Sequence, residues 1–317
     1  MRKDYLPGRS NVLASNGIAA TSQPLSSLEA ISILKKGGNA VDAAIAASAV
    51  QSVIEPGSTG VGGDCFALIS LNGQKPISVN GSGIAPKKAS LDFFEKNNIF
   101  EIGLLSPHSV TIPGAVHAWY SMHQKFGKLD FEELFLTAEN YSLNGYPIHE
   151  ITAKSWNKNI NKIIKNESTR KIFSKNGKSY QFGEIHKNID LAKTLKSIAK
   201  NGIKDFYEGY IAEDIVSSLN SIGGCHTIED FQHQKTIITD SIFSTFKNNR
   251  IHQCPPNGPG ITVLIMMSIL ERFDFSHINP MSVDRFHLQA EATKIAYQVR
   301  ENFIGDPNFI NLNINNL

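Results

Sequence analysis

The hydrophobic and polar positions at the start of the chain predict two helices followed by a β-hairpin. Ser26 stands three residues ahead of Glu29 in "SSLEAISILKKGG", which is the spacing of a capping box, and apolar residues then recur at helical intervals up to a glycine pair. "NAVDAAIAASAVQSVIEPG" restarts the pattern, with Asn39 as the expected N-cap and alanines that allow close helix packing. Further on, apolar residues alternate around Asn72-Gly73, a dipeptide typical of tight hairpin turns.

The remaining pattern predicts a mainly helical chain with one β-rich stretch. Helical periodicity appears in "PGAVHAWYSMHQKFG", with Pro113 suited to a first turn, and in three later segments ending at "NG", "NG" and "GG". "TIITDSIFSTFKNNRIHQCP" predicts strands, and two strong helices follow in "GITVLIMMSILERF" and "SVDRFHLQAEATKIAYQVRENF". Because no repeat, low-complexity segment or linker interrupts residues 1–317, we expect a single domain.

Composition narrows the class of protein. Hydrophobic residues form 41% and charged residues 19% of the 317, as in ordinary globular proteins. The 31 basic residues nearly cancel the 29 acidic ones, so we expect neither nucleic acid nor a membrane as a partner. We interpret the basic runs at 154–166 and 247–250 as solvated surface.

Cysteine usage indicates a reducing compartment. Cys65, Cys225 and Cys254 are an odd number with no metal-binding spacing, so we expect no disulfide framework, metal or cofactor. The first residues lack the apolar segment of a secretory signal, and no apolar run is long enough to span a bilayer. These features together predict a cytoplasmic protein.

A glycine-rich segment, "GSTGVGGDCF" at 57–66, follows a predicted helix and precedes a predicted strand. That order is the reverse of a dinucleotide-binding fingerprint, and no Gly-Lys-Ser/Thr marks a phosphate loop. A turn that needs positive φ angles and close backbone packing is the alternative. A second motif, "PPNGPG" at 255–260, is either an anion site at a helix N-terminus or a rigid lead-in to a core helix.

Histidine and serine motifs for nucleophilic catalysis are missing from the sequence. His117 and His123 are six residues apart on a predicted helix and face different directions, and no G-x-S-x-G elbow occurs. We therefore interpret the histidines as core or surface residues.

Eight motifs in order resemble the large-subunit half of the γ-glutamyltransferase family over about residues 10–310. They are "LKKGGNAVDAAIAA", "EPGSTGVGGDCFALI", "NGSGIAPKKAS", "SVTIPGAVHAW", "FYEGYIAEDIV", "GGCHTIEDF", "PPNGPGITVL" and "EATKIAYQVRENFIGDPNF". The resemblance implies an α+β fold, namely the αββα sandwich of N-terminal nucleophile hydrolases. It also implies a precursor that cleaves itself into two subunits, with the glycine-rich segment packed beside the small one.

The implied chemistry uses a threonine at the new N-terminus of the small subunit. Its own α-amine acts as the base, which accounts for the missing triad. The γ-glutamyl group of a glutathione-type amide passes to this threonine and then to water or an amine. We expect the threonine downstream of Leu317, so the small subunit is the expected partner and residues 1–317 alone are expected to be inactive.

One departure from the family pattern concerns the substrate. Typical members of the γ-glutamyltransferase family, which this chain resembles, carry an arginine just ahead of the A-P-x-x-A element, where it binds the α-carboxylate of the substrate. This chain has Ser82 there, so the expected substrate-binding residues are Asn80, Ser82 and Gly83, which hydrogen-bond but do not neutralise a carboxylate. Two alternatives therefore stay open: an amidohydrolase or acylase for another small acyl amide, of the oxamate type, and a non-enzymatic scaffold.

Overall fold

The computed structural model describes residues 11–310, and helices dominate it. The helices are α1 (Pro24–Lys35), α2 (Ala40–Ile54), α3 (Leu91–Lys96), α4 (Ala115–Phe126), α5 (Leu136–Asn144), α6 (Glu150–Ile163), α7 (Glu167–Phe173), α8 (Ile189–Asn201), α9 (Lys204–Tyr207), α10 (Tyr210–Ser221), α11 (Ile228–Gln232), α12 (Gly260–Leu270) and α13 (Val283–Phe303). Short 3-10 helices span Pro107–Ser109 and Phe131–Phe135.

The strands are β1 (Cys65–Ile69), β2 (Ile77–Gly81), β3 (Tyr146–Pro147), β4 (Ile185–His186), β5 (Ile237–Asp240), β6 (Ile242–Phe246) and β7 (Asn249–Gln253). Backbone contacts divide the described chain into two compact units, residues 11–61 with 122–215 and residues 62–121 with 216–310. The expectation of a single domain stays a prediction. Among the helices described, none is long and apolar enough to cross a membrane.

In the first unit, a buried carboxylate fixes the start of α2. Asn39 accepts hydrogen bonds from the backbone N–H groups of Val41 and Asp42, and Asp42 accepts one from the Asn39 N–H at 2.9 Å, which completes a capping box. Asp42 is fully buried and also accepts from the backbone N–H groups of Lys128 and Leu129 at 3.0 and 3.3 Å. The predicted N-cap is confirmed, and the same carboxylate ties α2 to the loop after α4.

The start of α1 differs from its prediction. The helix begins at Pro24, and the side chain of Gln23 accepts the capping hydrogen bond from the Leu25 N–H. Ser26 lies inside the helix and donates to the carbonyl oxygen of Ala47 in α2 at 2.8 Å. The expected capping box of Ser26 with Glu29 is therefore wrong, because packing of α1 on the alanine-rich α2 recruits the serine hydroxyl.

The basic run 154–166 is also more than solvated surface. It lies in α6 and the turn after it, with its lysines exposed on one side. On the other side Trp156 is only 5% exposed, and its indole N–H donates to the carbonyl oxygen of Phe173 at 2.7 Å. The interpretation as solvated surface is wrong for this side of α6. The apolar residues stand between lysines in the sequence, but the helical period brings them together on one side of the helix.

The second unit contains a three-stranded antiparallel sheet in the order β1-β2-β5. Ile69 pairs with Ile77, and the turn between β1 and β2 has positive φ at Asn72 (45°) and Gly73 (76°). These angles suit a tight hairpin turn, so the predicted hairpin is confirmed. Within the described residues β1 is an edge strand, and its Phe66 and Leu68 side chains are about two-fifths exposed, at 40% and 41%.

The predicted β-rich stretch and the two strong helices are confirmed in the same unit. β6 and β7 form a second hairpin whose turn has positive φ at Lys247 and Asn248. α12 and α13 pack together through Ile261, Ile265 and Ala296. The predicted helix at 113–127 begins at Ala115, two residues after Pro113, so the proline precedes the first turn instead of forming it.

Candidate substrate-binding site

The three predicted site residues lie at the end of β2, where the chain leaves the sheet. Gly81 is the last residue of the strand, and a Cβ added there would lie 2.4 Å from the Cβ of Ala118 in α4. A Cβ at Gly114 would lie 2.1 Å from the carbonyl oxygen of Gly81. Only glycine fits at this crossing, so the start of α4 sits directly against the end of β2.

Asn80 and Ser82 meet Asn257 in one network of neutral side chains. The Asn80 amide nitrogen donates to the Asn257 side-chain oxygen at 2.8 Å, and the Asn80 oxygen accepts from the backbone N–H of Ser82 at 3.0 Å. The Ser82 hydroxyl lies 3.1 Å from the amide nitrogen of Asn257. Asn80 is 9% exposed, whereas Asn257 is exposed. The buried Asn80 thus fixes the loop through its hydrogen bonds to Ser82 and Asn257, whose polar groups are more accessible to solvent.

Gly83 has no room for a side chain. A Cβ there would lie 1.8 Å from the carbonyl oxygen of Ile112, and the Ile112 N–H donates to the carbonyl oxygen of Ile84 at 2.9 Å. The Gly83 N–H donates to the carboxylate of Asp64, at the end of the glycine-rich segment, at 2.8 Å. The Gly83 N–H is therefore already paired with an exposed carboxylate.

Gln234 fixes the segment from another side. Its side-chain oxygen accepts from the Ile84 N–H at 3.1 Å, and its nitrogen donates to the carbonyl oxygen of Ser82 at 3.0 Å. Gln234 is 2% exposed, so these two hydrogen bonds satisfy a buried amide. The side chains that contact residues 80–84 by hydrogen bonds are thus amides, one hydroxyl and one carboxylate, and the site offers polarity without positive charge.

Sequence reasoning missed Asn257 and Gln234 as partners of this segment. They lie 150 or more residues away along the chain, and only the "PPNGPG" motif marked one of them. A Cβ at Gly258 would lie 3.0 Å from the ring of Phe66, and one at Gly260 would lie 2.9 Å from the Cβ of Gln253. These contacts support the interpretation of the motif as a rigid lead-in to α12, whereas anion binding there stays untested.

The glycine-rich segment behaves differently from its prediction. A Cβ at Gly57 or Gly62 would meet no atom of the described chain within 4 Å, and neither glycine has positive φ. The prediction of positive φ angles and of close packing within this chain is therefore wrong at these two positions. Gly63 contributes its carbonyl oxygen, which accepts from the N–H groups of Gly114 and Ala115. Packing of the segment beside a small subunit stays a prediction.

Reactive groups near the sheet are held in their neutral forms. Burial, reinforced by Cys254 and Asp64, raises the pKa of Cys65 to about 11, so its thiol is protonated at neutral pH. Burial also lowers the pKa of His117, whose Nδ1 forms a hydrogen bond of 2.8 Å with the Thr236 hydroxyl. These are the properties of core residues, in agreement with the absence of a histidine-based nucleophile motif.

A metal centre does not emerge from residues 11–310, where no three His, Cys, Asp or Glu side chains cluster in a way that could hold an ion. The three cysteines are unpaired.

Comparisons with known proteins place this architecture. The gamma-glutamyltranspeptidase family model matches residues 26–317. The glutathione hydrolase-like YwrD proenzyme of Bacillus subtilis is 34% identical over 286 residues, which are 90% of this chain and 54% of that protein. The chain thus spans about half the length of the curated relatives it matches.

Two solved structures extend the likeness to the fold. The gamma-glutamyltranspeptidase of Helicobacter pylori aligns with a TM-score of 0.89 at 28% identity, covering 96% of this chain and 89% of that one. The cephalosporin acylase of Bacillus halodurans aligns with a TM-score of 0.91 at 32% identity, covering 98% and 59%. The expected α+β fold class of N-terminal nucleophile hydrolases is confirmed. The family model covers most of the chain and the fold agrees throughout, so the chain belongs to the gamma-glutamyltranspeptidase family.

Proposed function

We propose that the chain is the large-subunit portion of an acyl-transferring amidase that works together with a second half. The observation that carries this proposal is the family match over residues 26–317, combined with a span of about half the length of relatives described as proenzymes. The second half supplies a threonine whose hydroxyl attacks the amide carbonyl while its α-amine takes the proton. The C–N bond of the amide breaks, the amine leaves with that proton, and an acyl ester of the threonine remains. Water or another amine then attacks the ester and releases the acyl product and the free threonine, and no cofactor takes part.

The preferred donor is a γ-glutamyl amide of the glutathione type, in line with the glutathione hydrolases among the relatives. In this proposal Ser82 and the backbone at Gly83 contact the substrate acyl group, and Asn80 positions them. The side-chain nitrogen of Asn80 donates to Asn257 and its side-chain oxygen accepts from the Ser82 N–H, so both polar atoms are engaged in fixing the loop, as suits a positioning role. Ser82 is half-buried, and its hydroxyl is hydrogen-bonded to the exposed amide of Asn257, which a ligand at this position would replace.

A second candidate, an acylase for a small uncharged acyl amide, rests on a specific observation. The contacts of residues 80–84 come from Asn257, Gln234 and Asp64, which are neutral or acidic. A substrate carboxylate placed there gains no charged hydrogen bond, and the Asp64 carboxylate opposes it. A hydrogen bond to a charged partner contributes about 1.5–3 kcal/mol, so its absence weakens γ-glutamyl binding by about tenfold to a hundredfold.

The experiment that tests both candidates uses the complete open reading frame. Intact mass spectrometry first asks whether the product becomes two fragments, the smaller one starting with threonine. A product that stays a single chain contradicts the enzyme proposal and favours the scaffold alternative. Turnover of γ-glutamyl-p-nitroanilide is then compared with that of acetyl and oxamoyl anilides. Preference for the γ-glutamyl compound supports the first candidate, and preference for the uncharged compounds supports the second.

Ser82→Ala and Asn80→Ala in the processed enzyme separate contact from positioning. Loss of the Ser82 hydroxyl raises KM by about tenfold if it binds the substrate directly. Loss of Asn80 lowers kcat as well, since the loop loses its anchor. We also propose a cytoplasmic location for the protein, supported by its three unpaired cysteines, which suit a reducing compartment. Partition of a tagged full-length protein between cell fractions tests it.

A further inference from the structure

A cavity of about 400 Å³ lies in the first unit. Its walls come from the residues directly after α2 (Glu55–Ser58), from one face of α6, and from Thr169 and Phe173 of α7. Cavities that hold small molecules in proteins occupy about 300–1,000 Å³, so this one admits a ligand of a dozen or so heavy atoms.

The α6 wall of the cavity combines apolar and neutral polar side chains. The lining residues of this helix recur at helical spacing from Ile151 to Ile163 and share one face, which excludes the lysines of α6. Ile151 is 76% exposed at one end, whereas Trp156 is 5% exposed. The Trp156 N–H is bonded to the Phe173 carbonyl oxygen, and the two rings lie 5.8 Å apart. Two aromatic rings held in this way form a fixed apolar wall.

Among residues 11–310, Glu55 is the one charged residue that lines the cavity. Its carboxylate accepts from the Ser22 hydroxyl at 2.5 Å and from the Gln51 amide at 2.9 Å. Both donors are neutral, and among residues 11–310 no lysine or arginine forms an ion pair with Glu55. A half-buried carboxylate oriented by neutral donors keeps its full negative charge available to a cation.

We propose that this cavity binds a small primary amine that carries an aromatic or branched apolar group. The ammonium pairs with the Glu55 carboxylate, and the apolar group packs against Trp156 and Phe173, whose rings also attract a cation. An anion finds no cationic side chain among the described lining residues and is repelled by Glu55, and a neutral apolar molecule leaves the charge of Glu55 uncompensated. The proposal rests on the cavity alone and does not depend on the acyl-transfer chemistry.

Calorimetric titration of the protein expressed from the complete open reading frame, with 2-phenylethylamine as the ligand, tests the inference. The neutral analogue 2-phenylethanol and the anionic analogue 3-phenylpropanoate serve as matched probes. We expect one amine to bind per large-subunit chain. The affinity for the alcohol should be at least about tenfold lower, and the carboxylate should not bind. Failure of the amine to bind at about 10 mM, or preference for the alcohol or the carboxylate, overturns the proposal.

Three variants locate the binding. Glu55→Gln keeps an acceptor for Ser22 and Gln51 but removes the charge, and we expect it to abolish the preference for amine over alcohol. Ser155→Trp places a large ring in the cavity from an exposed position of its lining and should abolish binding. Lys158→Ala, on α6 but outside the lining, should leave the affinity unchanged. Circular dichroism checks that each variant is folded, and a folded Ser155→Trp that binds the amine normally contradicts the assignment.

Discussion

Replacing Gly83 by alanine gives a direct test of how tightly the site is built. The new Cβ would lie 1.8 Å from the carbonyl oxygen of Ile112, so one of the two backbone segments must retreat by about 1 Å or more. That movement breaks the 2.9 Å hydrogen bond from Ile112 to Ile84, whose donor residue is fully buried. Overpacking costs about 1–3 kcal/mol and the lost hydrogen bond about 1 kcal/mol more, so we expect a destabilisation of about 3 kcal/mol.

Urea unfolding followed by tryptophan fluorescence measures this loss. With a denaturant slope of about 3 kcal/mol per molar urea, the midpoint falls by about 1 M. Gly62→Ala is the matched control, because its Cβ meets no atom within 4 Å and its φ is not positive. Alanine at position 62 should change stability by less than about 1 kcal/mol, in the stabilising direction. Equal midpoints for wild type and Gly83→Ala would refute the close approach of the two segments.

Further predictions concern the buried polar groups. Asp42→Ala leaves three backbone N–H groups unpaired and should lower the free energy of unfolding by about 3–5 kcal/mol in thermal or urea melts. The control Asp190→Ala removes an exposed ion pair and should lower it by less than about 1 kcal/mol. Equal effects of the two substitutions would contradict the role of Asp42. Burial lowers the pKa values of His117 and His186, so the unfolded chain binds more protons and stability should fall as pH drops below about 6.5. A urea midpoint at pH 5 equal to that at pH 7.5 would contradict this. Because the pKa of Cys65 is raised to about 11, its labelling by a disulfide reagent at pH 7.5 should be slow in the folded chain and fast in urea.

Local chemistry predicted much of the chain correctly. The Asn72-Gly73 turn and the Asn39 cap each depend on neighbours within a few residues, so the sequence displays the whole cause of the structure. Ser26 shows where this fails, since two hydrogen-bonding options compete for one hydroxyl and the neighbouring helix α2 decides between them. The buried face of α6 was hidden because lysines and asparagines separate its apolar residues along the sequence.

The candidate site was chosen from the sequence, but its construction was not visible there. The motif at 80–83 selected this loop through a resemblance to a family, and its role in substrate binding stays a prediction. Its supports come from Asp64, which is 19 residues from Gly83, and from Gln234 and Asn257, which are far away in the sequence and ordinary in residue type. Hydrogen bonds between residues so far apart leave no periodic trace, because each partner sits in a loop or at a helix end. Only the tertiary structure brings them together.

The edge strand β1 has a practical consequence for handling the protein. One side of its backbone has no partner strand among the described residues, and its outward side chains include Phe66 and Leu68. Such an edge is a template on which another copy of the chain can add a strand, which makes it a site of aggregation. We expect the isolated chain to aggregate with rising concentration unless a complementary segment is produced with it. Co-expression is therefore the sensible route to soluble material.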